Sequence, residues 1–368
     1  MPVLARARRR LLMAGAGLIG TLALAAGALC LGSGCSTLGY YAQAVNGHLD
    51  LLQRARPAAE VMAAADTTPA LRERLALSQR MRGFAVTELK LPDNNSYRRY
   101  SDLGRSAAVW NVVATPELEL ALKTWCFPVL GCVGYRGYYS RQAADALAAE
   151  LQQQGYETRV YGVPAYSTLG YSNWAGGDPL LNTFINWPDA ELAKLIFHEL
   201  AHQVAYADDD TTFNESFATA VERIGGRRWL ELQPQGEEAL RQLAQHEHRQ
   251  QDFRELTQRY RSQLQALYGS GSSDEDKRRR KAELMSRLRA EYAVLKAERW
   301  AGYAGYDSWF ASANNAFFAV LAAYNDLVPE FERLHARQGS DLARFYAEVR
   351  RLAALPKDQR RAALAAVR

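Results

Sequence analysis

Pro188-Asp189-Ala190-Glu191-Leu192-Ala193-Lys194-Leu195-Ile196-Phe197-His198-Glu199-Leu200-Ala201-His202 decides how the rest of the chain is read. Pro188 suits a helix N-terminus, and Leu192, Leu195 and Ile196 supply an apolar stripe to the helix that follows. Two histidines four residues apart project from one helical face on successive turns, near enough for both imidazoles to bind one tetrahedral Zn²⁺. Glu199, beside the first histidine, can reach a water in the open coordination position and serve as its general base. A purely structural zinc site has four protein ligands and needs no such base. The pattern therefore favours catalysis over the competing class, a non-catalytic, zinc-braced binding protein.

Three downstream carboxylates, Asp208, Glu215 and Glu222, are candidates for the third protein ligand. Asp208 completes His198-Glu199-x-x-His202-x-x-Ala205-x-x-Asp208, which resembles metzincin spacing, but that family places Gly where Ala205 stands because the chain turns sharply there. Glu222 has the spacing from His202 that is found in thermolysin. Asn214-Glu215-Ser216-Phe217-Ala218 resembles the NEGFA segment of the aminopeptidase N family, in which the glutamate binds zinc. That resemblance implies Glu215 as the ligand, with Glu222, seven residues on along the same face, as its supporting partner or as the alternative ligand. Asp210, Thr211 or Thr212 can cap the helix that carries both, and Gly225-Gly226 can end it.

Upstream, Arg6, Arg8, Arg9 and Arg10 precede an uncharged run from Leu11 to Gly34, and no acidic residue comes before Asp50. This is the layout of an export signal. Leu31-Gly32-Ser33-Gly34-Cys35-Ser36 resembles the lipobox at which bacterial lipoproteins are cut and acylated. Residues 1–34 are therefore expected to be a lipoprotein signal peptide and Cys35 the lipidated N-terminus, with Ser36 favouring the outer membrane. The protein would sit lipid-anchored on the periplasmic face of the bacterial envelope. An uncleaved membrane anchor is the alternative, since the run is long enough to span a bilayer. Of the remaining cysteines, Cys126 and Cys132 bracket Phe127-Pro128-Val129-Leu130-Gly131, where a Pro and a Gly let the chain return. In an oxidising compartment a disulfide between them is expected.

The chain of 368 residues is 48% hydrophobic and 23% charged, which excludes a disordered, collagenous or many-spanning protein. Its net charge of +5 is too thinly spread to argue for nucleic acid as a partner. The expected fold class is α+β, with a zincin-like metallopeptidase core of zinc helix and small sheet and a mainly helical C-terminal part. Helical patterning marks an N-terminal segment over 35–96. The peptidase core covers 97–232, with strands near Val112-Val113 and Thr158–Tyr161 and a helix from Arg141 to Gln154. A charged helical hairpin follows over 233–300, broken at Gly269-Ser270-Gly271-Ser272-Ser273, and a C-terminal helical segment over 301–368. Lys277-Arg278-Arg279-Arg280-Lys281 directly follows Asp274-Glu275-Asp276, which reads as a solvated helix face. The hairpin is the surface expected to take a protein partner, if there is one.

Across most of the chain, further segments resemble the putative aminopeptidase family of bacterial lipoproteins. They are Cys35-Ser36-Thr37-Leu38-Gly39-Tyr40-Tyr41, Trp125-Cys126-Phe127-Pro128, Tyr135-Arg136-Gly137-Tyr138 and Ala165-Tyr166-Ser167-Thr168-Leu169-Gly170, together with the zinc helix and Phe213–Ala218. The resemblance implies a zinc peptidase of the gluzincin type, hydrolysing peptide substrates in the envelope, with an aminopeptidase as the first expectation and an endopeptidase as the alternative. No GAMEN-like segment, which in aminopeptidase N relatives holds the substrate's free amine, is found. The substrate is expected along an edge strand at Ala165–Gly170 or Leu181–Trp187, and Tyr171, Tyr206 and Tyr324 are candidate oxyanion donors.

Overall fold

The computed structural model describes residues 35–127, 131–165, 176–321 and 327–367. The expected signal peptide, Tyr171, Tyr324 and most of the Ala165–Gly170 edge lie outside them. Cys35 opens helix α1 (Cys35–Arg54), most of which forms a unit of its own, and the chain from Arg54 onward forms the second unit. Among the described residues no helix is long and apolar enough to cross a membrane.

The second unit is α+β, with small sheets among many helices. Its strands are β1 (Arg56–Pro57), β2 (Arg99–Ser101), β3 (Val109–Pro116), β4 (Trp125–Phe127), β5 (Gly131–Val133), β6 (Arg136–Tyr138), β7 (Tyr156–Val163) and β8 (Leu180–Leu181). They form three sheets, ordered β1-β2-β8, β6-β3-β7 and β4-β5. The longest ladder is antiparallel, β3 on β7, in register from Val109 opposite Val163 to Pro116 opposite Tyr156. β7 is an edge strand of its sheet.

Early helices brace these sheets. After β1 come α2 (Ala58–Ala63) and α3 (Pro69–Thr87), the latter started by Pro69 and by Thr68, whose hydroxyl accepts from Leu71 N. Helix α4 (Arg141–Gln153) begins where the sequence pattern places it and lays Ala144, Ala148 and Leu151 on Val112 and Ala114 of β3. Small residues on α4 let it sit close to the sheet, so one modest apolar cluster closes this face.

The expected strand over Leu181–Trp187 is not there: only Leu180 and Leu181 are extended, and the chain then coils. Phe184 N and Ile185 N both donate to Leu181 O, because Phe184 and Ile185 must be buried while the chain turns into the next helix. That helix is α5 (Asp189–Ala201), and α6 (Thr211–Glu231) packs along it. Gly225 and Gly226 do not end α6, which continues to Glu231. They lie where it crosses α5: a Cβ on Gly225 would come within 2.5 Å of Leu89 Cδ1 and 2.9 Å of Phe197 Cδ2, and one on Gly226 within 2.8 Å of Lys194 Cγ. Close approach of two helices, not a left-handed turn, is what these glycines supply.

The expected hairpin is α7 (Gly236–Tyr268) against α8 (Asp274–Glu298). Phe253, Leu256, Tyr260, Leu264 and Leu267 meet Leu284, Met285, Leu288 and Tyr292 in one apolar seam. Short helices α9 (Asp307–Ser312) and α10 (Asn315–Leu321) extend that seam through Phe310 and Phe318. The basic run is compensated at four of its five residues. Arg278 pairs with Glu117, Arg279 with Asp276 and Glu283, Arg280 with Asp276, and Lys281 with Glu157 of β7. The chain ends in α11 (Val328–Arg337), α12 (Leu342–Ala353) and α13 (Lys357–Ala365). Phe331, Phe345 and Tyr346 from this tail pack on Phe217 of α6.

Candidate metal centre

Two helices and the turn between them build the site. Arg74 of α3 fixes the entry to α5, donating to Ile185 O at 2.9 Å and to Trp187 O and Asp189 Oδ1 at 2.5 Å each. Leu192, Ile196, Phe197 and Leu200 are then buried, which turns His198 and Glu199 toward α6 and a neighbouring cleft. His202 is the C-cap of α5. The turn to α6 ends at Asp210, of the three candidate caps the one that accepts from Phe213 N, at 3.1 Å.

Three side chains converge. His198 Nε2 lies 3.2 Å from His202 Nε2 and 3.4 Å from Glu215 Oε2, and His202 Nε2 lies 3.7 Å from Glu215 Oε1. A tetrahedral ion with arms of about 2.0 to 2.1 Å requires its ligand atoms about 3.4 Å apart. The two imidazole nitrogens and the two Glu215 oxygens, one facing each ring, stand near that spacing, so the donor set fits one divalent ion held by two imidazoles and a carboxylate. Among the described residues this is the group that could hold a metal ion. Asp208, the metzincin-like alternative, is exposed and outside it.

Glu222 stands one layer back. Its Oε2 is 3.0 Å from His198 Nδ1, the ring nitrogen turned away from the centre, and its Oε1 is 3.6 Å from Lys194 Nζ. A carboxylate on Nδ1 fixes the tautomer and leaves Nε2 free for a metal. His202 Nδ1 is buried with no hydrogen-bond partner among the described residues, so only its Nε2 is engaged.

Electrostatics follow from this crowding. Burial works against a charge on His198, but the carboxylates of Glu215 and Glu222 outweigh it and push the pKa up to about 10. Burial and the neighbouring His198 charge take His202 down to about 4. For Glu215 and Glu222 burial works upward, yet hydrogen bonding to His198 holds both below the ordinary glutamate value.

The chain belongs to the family described as Putative aminopeptidase. The match runs over residues 39–364, so it takes in both helices of the site, the hairpin and nearly all of the C-terminal tail. The family's description is that of a peptidase. No curated protein and no solved structure matches the chain.

A cleft of about 270 Å³ opens beside the centre, lined by His198, Glu199 and Glu222 and by Val163, the last residue of β7, with Pro164 and Ala165 that follow it. Trp187, Glu191, Lys194 and Leu195 extend it along α5. Tyr206 is 44% exposed, its ring edge-on to His202 at 6.5 Å. Sequence reasoning did not single out Lys194 or Tyr97. Lys194 carries a readable signal, since it lies one turn before His198 on the same face. Tyr97 carries none: its phenol is buried, and its pKa is raised well above the ordinary value by burial and then by the charges of Glu199 and Asp178. Its backbone has a φ of 63°, left-handed for a residue with a side chain, and its N–H donates to Asp178 O at 2.6 Å.

Proposed function

We propose that the protein is a zinc-dependent peptidase of the bacterial cell envelope, lipid-anchored through Cys35. One observation carries the reading: His198 Nε2 and His202 Nε2 lie 3.2 Å apart with the two oxygens of Glu215 3.4 and 3.7 Å from them, close to the spacing that one zinc ion requires, and Glu199 lines the adjoining cleft. His198, His202 and Glu215 would hold the metal. When bound, zinc polarises the scissile carbonyl and makes a water acidic enough to attack at neutral pH. Glu199, lining the cleft, would act as general base, taking a proton from the attacking water and returning it to the leaving amine. Glu222 retains the Nδ1 proton of His198 and keeps the ring oriented. The peptide lies extended in the cleft beside Val163–Ala165, along the outer side of β7, the edge strand among the described residues.

Aminopeptidase action is the first form of this reading, on the family's description. A specific observation favours the second, an endopeptidase: Glu191 and Glu222, the cleft carboxylates other than Glu199, both face Lys194 at 3.6 Å. Neither is therefore set aside for a substrate's terminal ammonium. Metal analysis of the purified protein, with paired free-amine and N-acetylated peptides on wild type and Glu199→Gln, tests both forms. Bound zinc with hydrolysis that vanishes in Glu199→Gln is the expected result. Cleavage of free-amine peptides alone selects the aminopeptidase, and cleavage of both selects the endopeptidase. A metal-free, inactive wild type sinks the proposal.

A further inference from the structure

We infer that Lys194 is a positioning residue of the metal centre, acting through Glu222 on His198; this rests on the metal-binding reading above. Lys194 sits one helical turn before His198 on α5 and is 5% exposed. Its Nζ lies 3.6 Å from Glu222 Oε1, while the other oxygen of the same carboxylate, Oε2, lies 3.0 Å from His198 Nδ1. The two oxygens of Glu222 thus face opposite partners, an ammonium and an imidazole. Turning the carboxylate toward one would break its contact with the other.

Burial of an ammonium is costly unless opposite charge answers it closely. Here Glu222 and Glu191 answer it, each at 3.6 Å. The route of the side chain is built into the helix crossing. A Cβ on Gly226 would lie 2.8 Å from Lys194 Cγ and 3.4 Å from Cδ, so glycine in α6 is what leaves room for the lysine stem. Because Cγ is near the root of the side chain, it has little freedom to move aside. The chain therefore gives up a helix-favouring residue at 226 and places a buried charge behind the centre. Both features serve to present Glu222 to His198 as a fixed carboxylate, and a fixed carboxylate on Nδ1 makes the imidazole a better and better-aimed ligand.

The test compares zinc affinity, measured by chelator competition, with kcat and KM for wild type, Lys194→Met, Lys194→Arg, Glu191→Gln and Gly226→Ala. Lys194→Met keeps the stem and removes the charge, and it should weaken zinc binding by about ten- to a hundred-fold. Its kcat at saturating zinc should fall with little change in KM. Lys194→Arg should recover most of the affinity, and Glu191→Gln should bind zinc no more weakly than wild type. Gly226→Ala retains every charge and favours the helix, yet it should bind zinc more weakly because the stem is displaced, so it carries the test if Lys194→Met does not fold. Wild-type zinc affinity in folded Lys194→Met, or in Gly226→Ala if Lys194→Met does not fold, overturns the inference alone. Failure of the wild-type chain to bind zinc overturns the metal-centre reading itself.

Discussion

Asn214 holds Ala207 by both of its backbone groups: Ala207 N donates to Asn214 Oδ1 and Asn214 Nδ2 donates to Ala207 O, each at 2.8 Å. Both residues are buried, and Asn214 directly precedes Glu215, the carboxylate of the candidate metal centre. The pair therefore closes the turn between α5 and α6 at the point where the two halves of the site must be brought into register. Asn214→Ala leaves Ala207 N buried without a partner, while Ala207 O keeps the bond from Asp210 N at 3.2 Å, which should cost roughly 1 to 3 kcal/mol. Urea unfolding of the metal-free protein measures it. A loss under about 1 kcal/mol would show that water or rearrangement satisfies Ala207 instead.

The three carboxylates downstream of His202 occupy different places and should separate cleanly in zinc titrations. Glu215 lies within 3.4 and 3.7 Å of the two imidazole Nε2 atoms, and Glu215→Ala should abolish stoichiometric binding. Glu222 touches the far side of His198, so Glu222→Ala should weaken binding by about ten- to a hundred-fold without abolishing it. Asp208 is exposed and should be replaceable by Ala without effect on zinc. Full occupancy in Glu215→Ala would move the third ligand to Glu222 or Asp208.

What the sequence reveals about this site depends on how local each contact is. His198 and His202 share a helical face through a spacing of four, and Glu215 and Glu222 share another through a spacing of seven, so short-range periodicity puts all of them in view. The strands near Val112 and Thr158 and helix α4 are legible for the same reason. Gly225-Gly226 misleads because a glycine pair at a helix end and one at a tight crossing have the same local appearance, and only the approach of Phe197 and Lys194 distinguishes them. The spacing of four puts Lys194 on the face of His198, but its partner Glu222 lies across that crossing, and the setting of Tyr97 arises from the turn against Asp178, relations between distant segments with no periodic trace. Leu181–Trp187 is apolar enough to be a strand, but burial of Phe184 and Ile185 on the way into α5 coils it.

Acid should loosen the end of α6 through Asp210. Its carboxylate caps the helix at Phe213 N and pairs with Arg360 and Arg361 of α13. Burial works to raise its pKa, but the bonds from Arg361 and Phe213 N and the charge of Arg361 prevail and hold it below the ordinary 3.8. A pKa lower in the folded than in the unfolded chain contributes stability that is present in full above the unfolded value and lost as pH falls through the folded one. Thermal melts should show wild type losing stability below about pH 4. Asp210→Asn, less stable at neutral pH, should lose less over the same range. An identical acid slope in the two proteins would remove Asp210 from the account.

Lipid attachment at Cys35 can be read directly from processing. Cys35→Ala should stay at full precursor length in the inner membrane, whereas wild type should lose residues 1–34 and carry acyl chains detectable by metabolic labelling. If the anchor is present, changing Ser36 to Asp should shift the protein from the outer toward the inner membrane. Normal sorting and an unmodified mature N-terminus in Cys35→Ala would rule out the anchor.

Cys126 and Cys132 are joined by a disulfide, and they face each other in the antiparallel register of β4 and β5. The bond closes a short loop at the tip of a two-stranded sheet, outside both helices of the metal centre. For a loop this short the chain-entropy relation gives roughly 2 kcal/mol, enough to order the hairpin but small against the packing that holds α5 to α6. Replacing both cysteines with serine should lower the melting temperature modestly and leave zinc affinity and kcat within about two-fold of wild type, since His198, His202 and Glu215 all lie on or at the ends of α5 and α6. Alkylation and mass spectrometry of protein isolated from the envelope check the bond itself, because two thiols labelled without prior reduction would show that it does not form. A large fall in zinc affinity in the serine pair would instead show that β4 and β5 support the cleft.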